Sequence, residues 1–407
     1  MGNRGTVISN LPVRRNLLAF AIGFSFVVLV GPGARAQQQP TASPVKRPRG
    51  SLPITSFYET SETLPPGKPG ELIRSQEFDG YDLGEGVSAI RILYHSRAAN
   101  GEDVAASGVV LVPDRKPPVG GWPIIAWAHA WTGTARQCAP SLMRNLGSGP
   151  FLSMYASLGY AVVAADYVGL GTDSRNAIVD IQSNALDVIY SVSAARAAEL
   201  QLGNRWVAMG QSDGGLATLG VDEAESDIGD PGYLGSIAIS GIASLKDIYD
   251  DAAHCPVHPG PAFLAYGIKT IFPQFEPNEI LIEKGLAFYR QIEGSCSVAN
   301  DGTAGASEMA KPNWENNGLV QQFFLRNTLG KKKAGEPFLL LSAESDPAVM
   351  AGMTSRLVGD LCKQGGRVQF IRYPGLDTGG ILGGSVRDQI GWIQSRFKGE
   401  AAPSSCR

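Results

Sequence analysis

The chain has 407 residues, of which 43% are hydrophobic and 18% charged, and its formal net charge is −3 at pH 7. This composition excludes a disordered chain and supplies enough apolar side chains for a sizeable core. Because the net charge is small and no Lys/Arg cluster stands out, we expect no nucleic-acid partner. The 50 Gly and 26 Pro follow no collagen-like period and therefore indicate many tight turns.

The first 36 residues have the pattern of a secretory signal peptide. Arg14-Arg15 precedes an uncharged apolar run from Asn16 to Val30, and Ala34-Arg35-Ala36 offers a cleavage site between small residues. The run is short for a membrane span, so we expect no stable membrane insertion; a retained anchor is the alternative. The arginine pair also fits twin-arginine export. We predict an exported chain, periplasmic or extracellular, with residues 37–53 as a flexible tether.

Apolar runs of strand length then alternate with helical patterns. The predicted strands are Ser88–Tyr94, Gly108–Val112, Pro123–Ala128, Tyr160–Ala165, Trp206–Met209, Ser236–Ile239, Pro337–Leu341 and Val368–Arg372. The predicted helices are about Pro150–Leu158, Ile181–Leu200, Gly214–Glu225, Met353–Lys363 and Val386–Phe397. Several strand runs are continuously apolar, as in parallel strands buried on both faces. The order predicts an α/β fold with a doubly wound, mainly parallel sheet.

One interval interrupts the alternation. Residues 243–334 contain no clear strand and carry Pro256, Pro259, Pro261, Pro273 and Pro277 among amphipathic pieces. A structureless loop of that length is implausible in a compact domain. We therefore predict an inserted, mostly helical cap between two parts of the core, residues 54–242 and 335–407.

The segment from Trp206 to Gly215 predicts a nucleophile. An apolar strand leads into Gly210-Gln211-Ser212-Asp213-Gly214, a GxSxG pattern, and a helix follows. A nucleophilic Ser needs this sharp turn because the turn exposes its Oγ, and only small residues fit two positions away. The helix N-terminus then favours the negative charge that develops. The same pattern also arises as a plain turn, but its place at a strand–helix junction favours the catalytic interpretation.

An acid and an oxyanion hole are expected at the same edge of the sheet. Asp346 follows the seventh predicted strand and is the predicted triad acid, with Glu344 as runner-up; alternatively Asp346 is a helix N-cap. Backbone N–H groups of Trp131 or Thr132, together with that of Asp213, are the predicted oxyanion donors. The Trp131 side chain would narrow the acyl side of the pocket, or else pack in the core or against the cap.

Together these motifs resemble the secretory lipase family of the α/β-hydrolases. The matching pieces span about residues 106–397 and are the His129 loop running into Cys138-Ala139-Pro140-Ser141, Ala165–Thr172, Gly210–Gly215, Asp346, and Tyr373–Asp377. The resemblance implies hydrolysis of carboxylic esters under a cap, with Ser212 as nucleophile and Asp346 as triad acid. Ester hydrolysis by this route needs no cofactor. The expected substrate is a small-molecule or lipid-like ester with an apolar acyl part.

The five cysteines all lie after residue 36, which fits an exported chain. An odd number leaves one free or paired between chains. No CxxC spacing occurs and the four His are scattered, so no metal site is expected. The resemblance implies disulfides Cys138–Cys296 and Cys362–Cys406, which leaves Cys255 over.

The chain departs from the family pattern at the catalytic base. Thr378 occupies the position of the family's His, and a Thr hydroxyl cannot act as a base near pH 7, whereas His can because its reference pKa is about 6.5. The candidate substitute bases are His129, beside the oxyanion loop, and His254 and His258 in the predicted cap. His95 lies in an early strand, where a structural role is expected.

Three functions remain open from the sequence. The first is a secreted ester hydrolase whose turnover is impaired or depends on a substitute base. The second is an inactive hydrolase-fold protein that binds an acyl or ester ligand under its cap. The third is an acyltransferase, in which an alcohol replaces water, and no residue favours it specifically.

Overall fold

A computed structural model of the chain describes residues 50–60, 64–240, 245–250, 260–297, 308–330, 332, 335–345 and 351–406. Its strands are β1 Leu72–Glu77, β2 Val87–Arg97, β3 Asp103–Pro113, β4 Trp122–Ala128, β5 Ala161–Ala165, β6 Leu202–Gln211, β7 Tyr233–Ile239, β8 Phe338–Ala343 and β9 Val368–Tyr373. Its helices are α1 Gly149–Ser157, α2 Ile181–Ala198, α3 Asp213–Ile228, α4 Leu245–Asp250, α5 Gly260–Ile271, α6 Glu283–Ile292, α7 Gly318–Arg326, α8 Ala351–Lys363, α9 Thr378–Gly384 and α10 Val386–Lys398. The signal peptide and nearly all of the tether lie outside the described residues, so both stay predictions.

The strands form one nine-stranded sheet in the order β1-β2-β3-β5-β4-β6-β7-β8-β9. Strands β1, β2, β3 and β5 pair antiparallel, and every pair from β5/β4 to β8/β9 is parallel. The predicted mainly parallel α/β sheet is therefore confirmed. Each of the eight predicted strands corresponds to an observed one, although the observed ends extend by up to several residues. The prediction missed β1, an edge strand whose residues are half-buried or exposed and therefore lack a continuous apolar run.

Helices cover both faces of the sheet. Along β4, Ile124, Ala126 and Ala128 pack into one apolar cluster, while Ile125 and Trp127 pack into the cluster on the opposite face. The first face is covered by α2 and α3, and the second by α1 and α10. Burial of both faces explains why the parallel strands are continuously apolar.

The described parts of residues 243–334 consist of helices and turns, with α4 to α7 as the regular elements. Side chains of α5, α6 and α7 form their own apolar cluster, which also takes in Ile178 and Val179 from the loop before α2. This agrees with the helical character predicted for the cap, whose boundaries stay a prediction.

Both disulfides implied by the resemblance are present, which confirms that part of the prediction. Cys138–Cys296 joins the segment after β4 to the segment after α6, and Cys362–Cys406 joins α8 to the C-terminal residues. Cys255 lies outside the described residues.

Candidate active site

Ser212 lies on the turn between β6 and α3, with φ of +55° and ψ of −121°. A non-glycine residue with positive φ is uncommon, and such strained backbone clusters at functional sites. The Ser212 amide donates to the carbonyls of Ile239 and Ser240, at 3.0 and 3.2 Å. These bonds hold the strained turn against the end of β7, and Ser212 itself is half-buried.

The glycines around Ser212 are required by close backbone approach. A Cβ on Gly214 would collide with the carbonyl oxygen of Ala128, at the end of β4. A Cβ on Gly210 would collide with the carbonyl oxygen of Gly214. The small residues that the GxSxG pattern demands therefore have a steric reason here, which a plain turn would not supply.

Thr378 reaches the same turn from the other side, as the first residue of α9. Its hydroxyl shares a 2.8 Å hydrogen bond with the Ser240 hydroxyl, and its carbonyl accepts from the Gln211 side-chain amide. Because Gln211 and Ser240 both flank Ser212 in space, Thr378 lies at the elbow, and its assignment to the position of the family's His stays a prediction. The side-chain group at this point of the elbow is a hydroxyl.

The oxyanion loop follows β4 and also faces the elbow. The buried Asp213 carboxyl has its pKa raised by burial, while the backbone N–H of Trp131 opposes that shift and so lies against the carboxyl. The Trp131 ring packs edge-on against Phe263 of α5, with 5.1 Å between ring centroids. The packing against the cap is thus observed. The oxyanion roles of Trp131, Thr132 and Asp213 stay predictions.

His129 is a poor candidate for a substitute base. It is buried and stacked on Tyr167, and its Nδ1 and Nε2 face the backbone carbonyls of Ala130 and Asp166, at 2.6 and 3.2 Å. Burial lowers the pKa of His129 to about 4. Because the neutral imidazole carries a single N–H, it donates to one of these carbonyls while its other nitrogen also faces backbone, and we do not retain this residue as a base. His254 and His258 lie outside the described residues.

Of the two candidate acids, Glu344 is described and Asp346 lies just outside the described residues. The Glu344 carboxylate forms an ion pair with Arg372, whose side chain is 54% exposed. The amide of Ser345 donates to the carbonyl of Leu376, so the end of β8 is tied to the segment before α9. The ion pair occupies Glu344, and Asp346 remains the predicted triad acid.

A cleft with room for one water-sized group, about 20 Å³, lies beside the elbow. Its polar lining includes Asp213, Thr132, Asn176 and Asn184, and its apolar lining is supplied by the oxyanion loop and the segment before α2. The apolar acyl part expected of the substrate stays a prediction. The cleft is narrow and partly polar.

Sequence reasoning missed Ser240, Gln211 and Asn184. Ser240 is fully buried, with φ of +49°, directly after β7. One signal was available for it, because the carboxyl ends of adjacent parallel strands meet at one edge of the sheet. For Asn184, a polar residue inside a helical pattern gave no signal.

Among the described residues, no group of His, Cys, Asp and Glu side chains is arranged to hold a metal ion. Within the same ranges, no helix has the length and hydropathy that crossing a bilayer requires.

Comparison with protein-family models and with curated proteins finds no match. Solved structures do match. Candida antarctica lipase A in its closed state superposes with a TM-score of 0.72 and 18% identity, over 88% of this chain and 89% of that one. The rice cell wall degrading esterase LipA from Xanthomonas oryzae gives a TM-score of 0.67 and 18% identity, over 82% of this chain and 98% of that one. The sheet order, the elbow at Ser212 and these neighbours together show that this chain has the α/β-hydrolase fold.

Proposed function

We propose that this chain is an exported serine ester hydrolase of the lipase/esterase type, acting through an acyl-Ser212 intermediate with impaired turnover. The observation that carries the proposal is the strained backbone of Ser212, which lies on a closely packed turn between a strand and a helix. Such strain costs on the order of 1–3 kcal/mol, and in a chain freed from catalysis it would have little reason to persist.

The proposed chemistry starts with attack of the Ser212 Oγ on the ester carbonyl. The oxyanion would be held by the N–H of Asp213 and an N–H of the loop at Trp131 and Thr132. The alcohol leaves, and water then releases the acid from Ser212. Asp346 is the proposed triad acid.

Thr378 is the proposed cause of the impairment. A hydroxyl bonded to Ser240 takes no proton from Ser212 near pH 7, and the leaving alkoxide finds no acid there. In a well-studied serine protease, removal of the triad His lowers turnover by about 10⁶, and a residual 10³–10⁴ over water survives. His254 and His258 are the remaining proposed substitute bases.

A second candidate is an inactive protein that binds an acyl or ester ligand under the cap. The hydrogen bond between Ser240 and Thr378 favours this candidate, because two neutral hydroxyls pair where a hydrolase would need its catalytic base. Retention of the Gly-rich elbow favours the hydrolase.

The test is the initial rate of hydrolysis of p-nitrophenyl esters from acetate to palmitate. The mature chain and its Ser212→Ala variant are compared in the same buffer. The hydrolase predicts a rate that is well above buffer and is lost in the variant. Equal rates for both proteins would reject the hydrolase and favour the binding protein.

A rate that depends on Ser212 leads to a second comparison. His254→Ala and His258→Ala are then measured beside His129→Phe. Loss of the rate in one cap variant identifies the substitute base, whereas the His129 variant is expected to change stability more than the proton transfer.

A further inference from the structure

The cleft beside the elbow contains polar groups that the proposed chemistry does not use. Nε1 of Trp131 and Oγ1 of Thr132 are buried, and neither has a hydrogen-bond partner among the residues that the structure describes. Asn184, which is 6% exposed, also lines the cleft. Buried donors and acceptors are normally paired, because an unmade hydrogen bond costs free energy. Two unpartnered groups and a buried amide, on residues that line one cleft, therefore point to a polar occupant.

The cleft limits the size of this occupant. Its volume of about 20 Å³ exceeds the roughly 10–15 Å³ that one water needs. Leu170, Ile178 and Val179 form the apolar part of the wall. An alkyl chain does not fit this space, and a methyl group in it would offer the three polar groups no hydrogen bond.

The three polar groups together select a hydroxyl. Trp131 Nε1 is only a donor, so the occupant must accept a hydrogen bond. The Asn184 carbonyl and the Thr132 hydroxyl can accept, so the occupant gains a second bond when it also donates. A hydroxyl does both, whereas a carbonyl oxygen only accepts and an ammonium group only donates.

Backbone strain on the cleft wall agrees with a ligand site. Tyr167 and Val179 both line the cleft, with φ of +64° and +55°. Positive φ is a genuine outlier for a β-branched residue such as Val179, and such residues concentrate where ligands are held.

We propose that this cleft is a hydroxyl-binding subsite, and that the preferred substrate is an ester with a hydroxyl group on its acyl part, close to the carbonyl carbon. The cleft is lined by Asp213, which directly follows the nucleophile, and by Trp131 and Thr132 of the oxyanion loop. This lining places a bound hydroxyl near the reacting carbonyl. The inference rests on the proposed ester chemistry at Ser212 and names its substrate class.

Binding to the Ser212→Ala protein tests the subsite without any need for turnover. Dissociation constants are measured by ligand-observed NMR for methyl butanoate, for methyl 3-hydroxybutanoate and for 2-hydroxyethyl butanoate. The expected result is that the 3-hydroxy ester binds about tenfold more tightly than methyl butanoate, which corresponds to about 1.4 kcal/mol. If the 2-hydroxyethyl ester is preferred instead, the hydroxyl comes from the alcohol part, and the assignment to the acyl part is overturned.

Asn184→Leu in the Ser212→Ala background removes the amide and is expected to abolish the preference. Gln182→Leu is the control, since it removes an exposed amide of α2 that donates to the carbonyl of Arg326 and does not line the cleft. If Asn184→Leu fails to fold, Thr132→Val removes a second polar group of the cleft, its hydroxyl, and gives the same test.

Equal affinity for the hydroxylated and plain esters, or no binding of any of them, would overturn the subsite and leave water as its occupant. These outcomes are independent of the hydrolase proposal. Hydrolysis that depends on Ser212 without a hydroxyl preference rejects the subsite alone. A hydroxyl preference without any hydrolysis rejects the hydrolase alone.

Discussion

At the scale of single residues, the elbow shows that a short motif such as GxSxG is informative only together with the backbone contacts around it. GxSxG describes residue types, while the positive φ of Ser212 is accompanied by close contacts with two neighbouring strand ends, those of β4 and β7. The carbonyl of Ala128 excludes any side chain at Gly214, and the end of β7 fixes the Ser212 amide. A glycine-rich chain can contain the pattern without these contacts, so only the structure separates an elbow from a turn.

Gly214→Ala is expected to lower the free energy of unfolding by at least about 3 kcal/mol, because the new methyl group overlaps the Ala128 carbonyl oxygen. Urea denaturation followed by circular dichroism measures this change. Gly383→Ala is the control, since no atom of the described residues lies within 4 Å of its added Cβ. Equal stability of the two variants would contradict the packing described for the elbow.

The pairing of Ser240 with Thr378 lies beyond what residue patterns can show. The two positions are 138 residues apart, and the bond depends on the register of β7 and on where α9 begins. The resemblance to a family singled out Thr378, as the residue predicted to stand in place of a His, and that assignment stays a prediction. The hydroxyl partner of Thr378, Ser240, is evident only from the structure, which brings the end of β7 next to the start of α9.

At the scale of elements, helix α9 is one that residue patterns did not predict. Four of its seven residues are Gly, which has a poor helix propensity, so no residue pattern predicted a helix there. The helix forms because Asp377 accepts a hydrogen bond from the amide of Gly380 at its N-terminus, at 2.7 Å. The parallel strands, in contrast, were predictable because burial on both faces imposes a continuous apolar run.

Helix α10 provides a matched pair of glycines. Gly391 lies inside the helix and Gly399 follows its end with φ of +71°, and neither added Cβ meets an atom within 4 Å. Gly391→Ala is expected to raise the free energy of unfolding by about 0.5–1 kcal/mol through helix propensity. Gly399→Ala is expected to lower it by about 1 kcal/mol, because Ala is strained at positive φ.

Urea titrations of both variants beside the parent chain measure this difference. The space around the two positions is equal. Changes of opposite sign in the free energy of unfolding would therefore be due to the backbone conformation and not to steric contacts. The same sign for both substitutions would contradict the described end of α10.

At the scale of the whole molecule, buried carboxyl groups set the response of stability to pH. Asp187 is 1% exposed, accepts hydrogen bonds from the Ser96 hydroxyl and the Val168 amide, and has its pKa raised to about 7 by burial. Burial likewise raises the pKa of Asp222 to about 6 and that of Glu225 to about 7. No residue pattern predicts such shifts, because they arise from side chains that elements far apart in sequence bury together.

The protein is expected to be less stable at pH 8 than at pH 6. A carboxyl whose pKa is raised in the folded state binds its proton more tightly there than in the unfolded chain. The free energy of unfolding therefore falls as pH rises through the folded pKa. Below about pH 6.5, His129 acts in the opposite direction, since its lowered pKa makes the unfolded chain the better proton acceptor.

Unfolding free energies at pH 6, 7 and 8 measure this slope. Asp187→Asn is expected to make the slope shallower, because Asn keeps the acceptor for Val168 and donates to the Ser96 hydroxyl, which can rotate. An unchanged slope in this variant would show that Asp187 does not titrate in the range.

The most direct test of the proposed function is the kcat/KM of p-nitrophenyl butanoate hydrolysis by Thr378→His, measured beside the parent chain and with Ser212→Ala in both backgrounds. If the elbow is a hydrolase site that lacks only its base, the substitution raises kcat/KM by at least two orders of magnitude, and Ser212→Ala removes the gain. An unchanged kcat/KM in a Thr378→His protein that folds as the parent does would contradict the account.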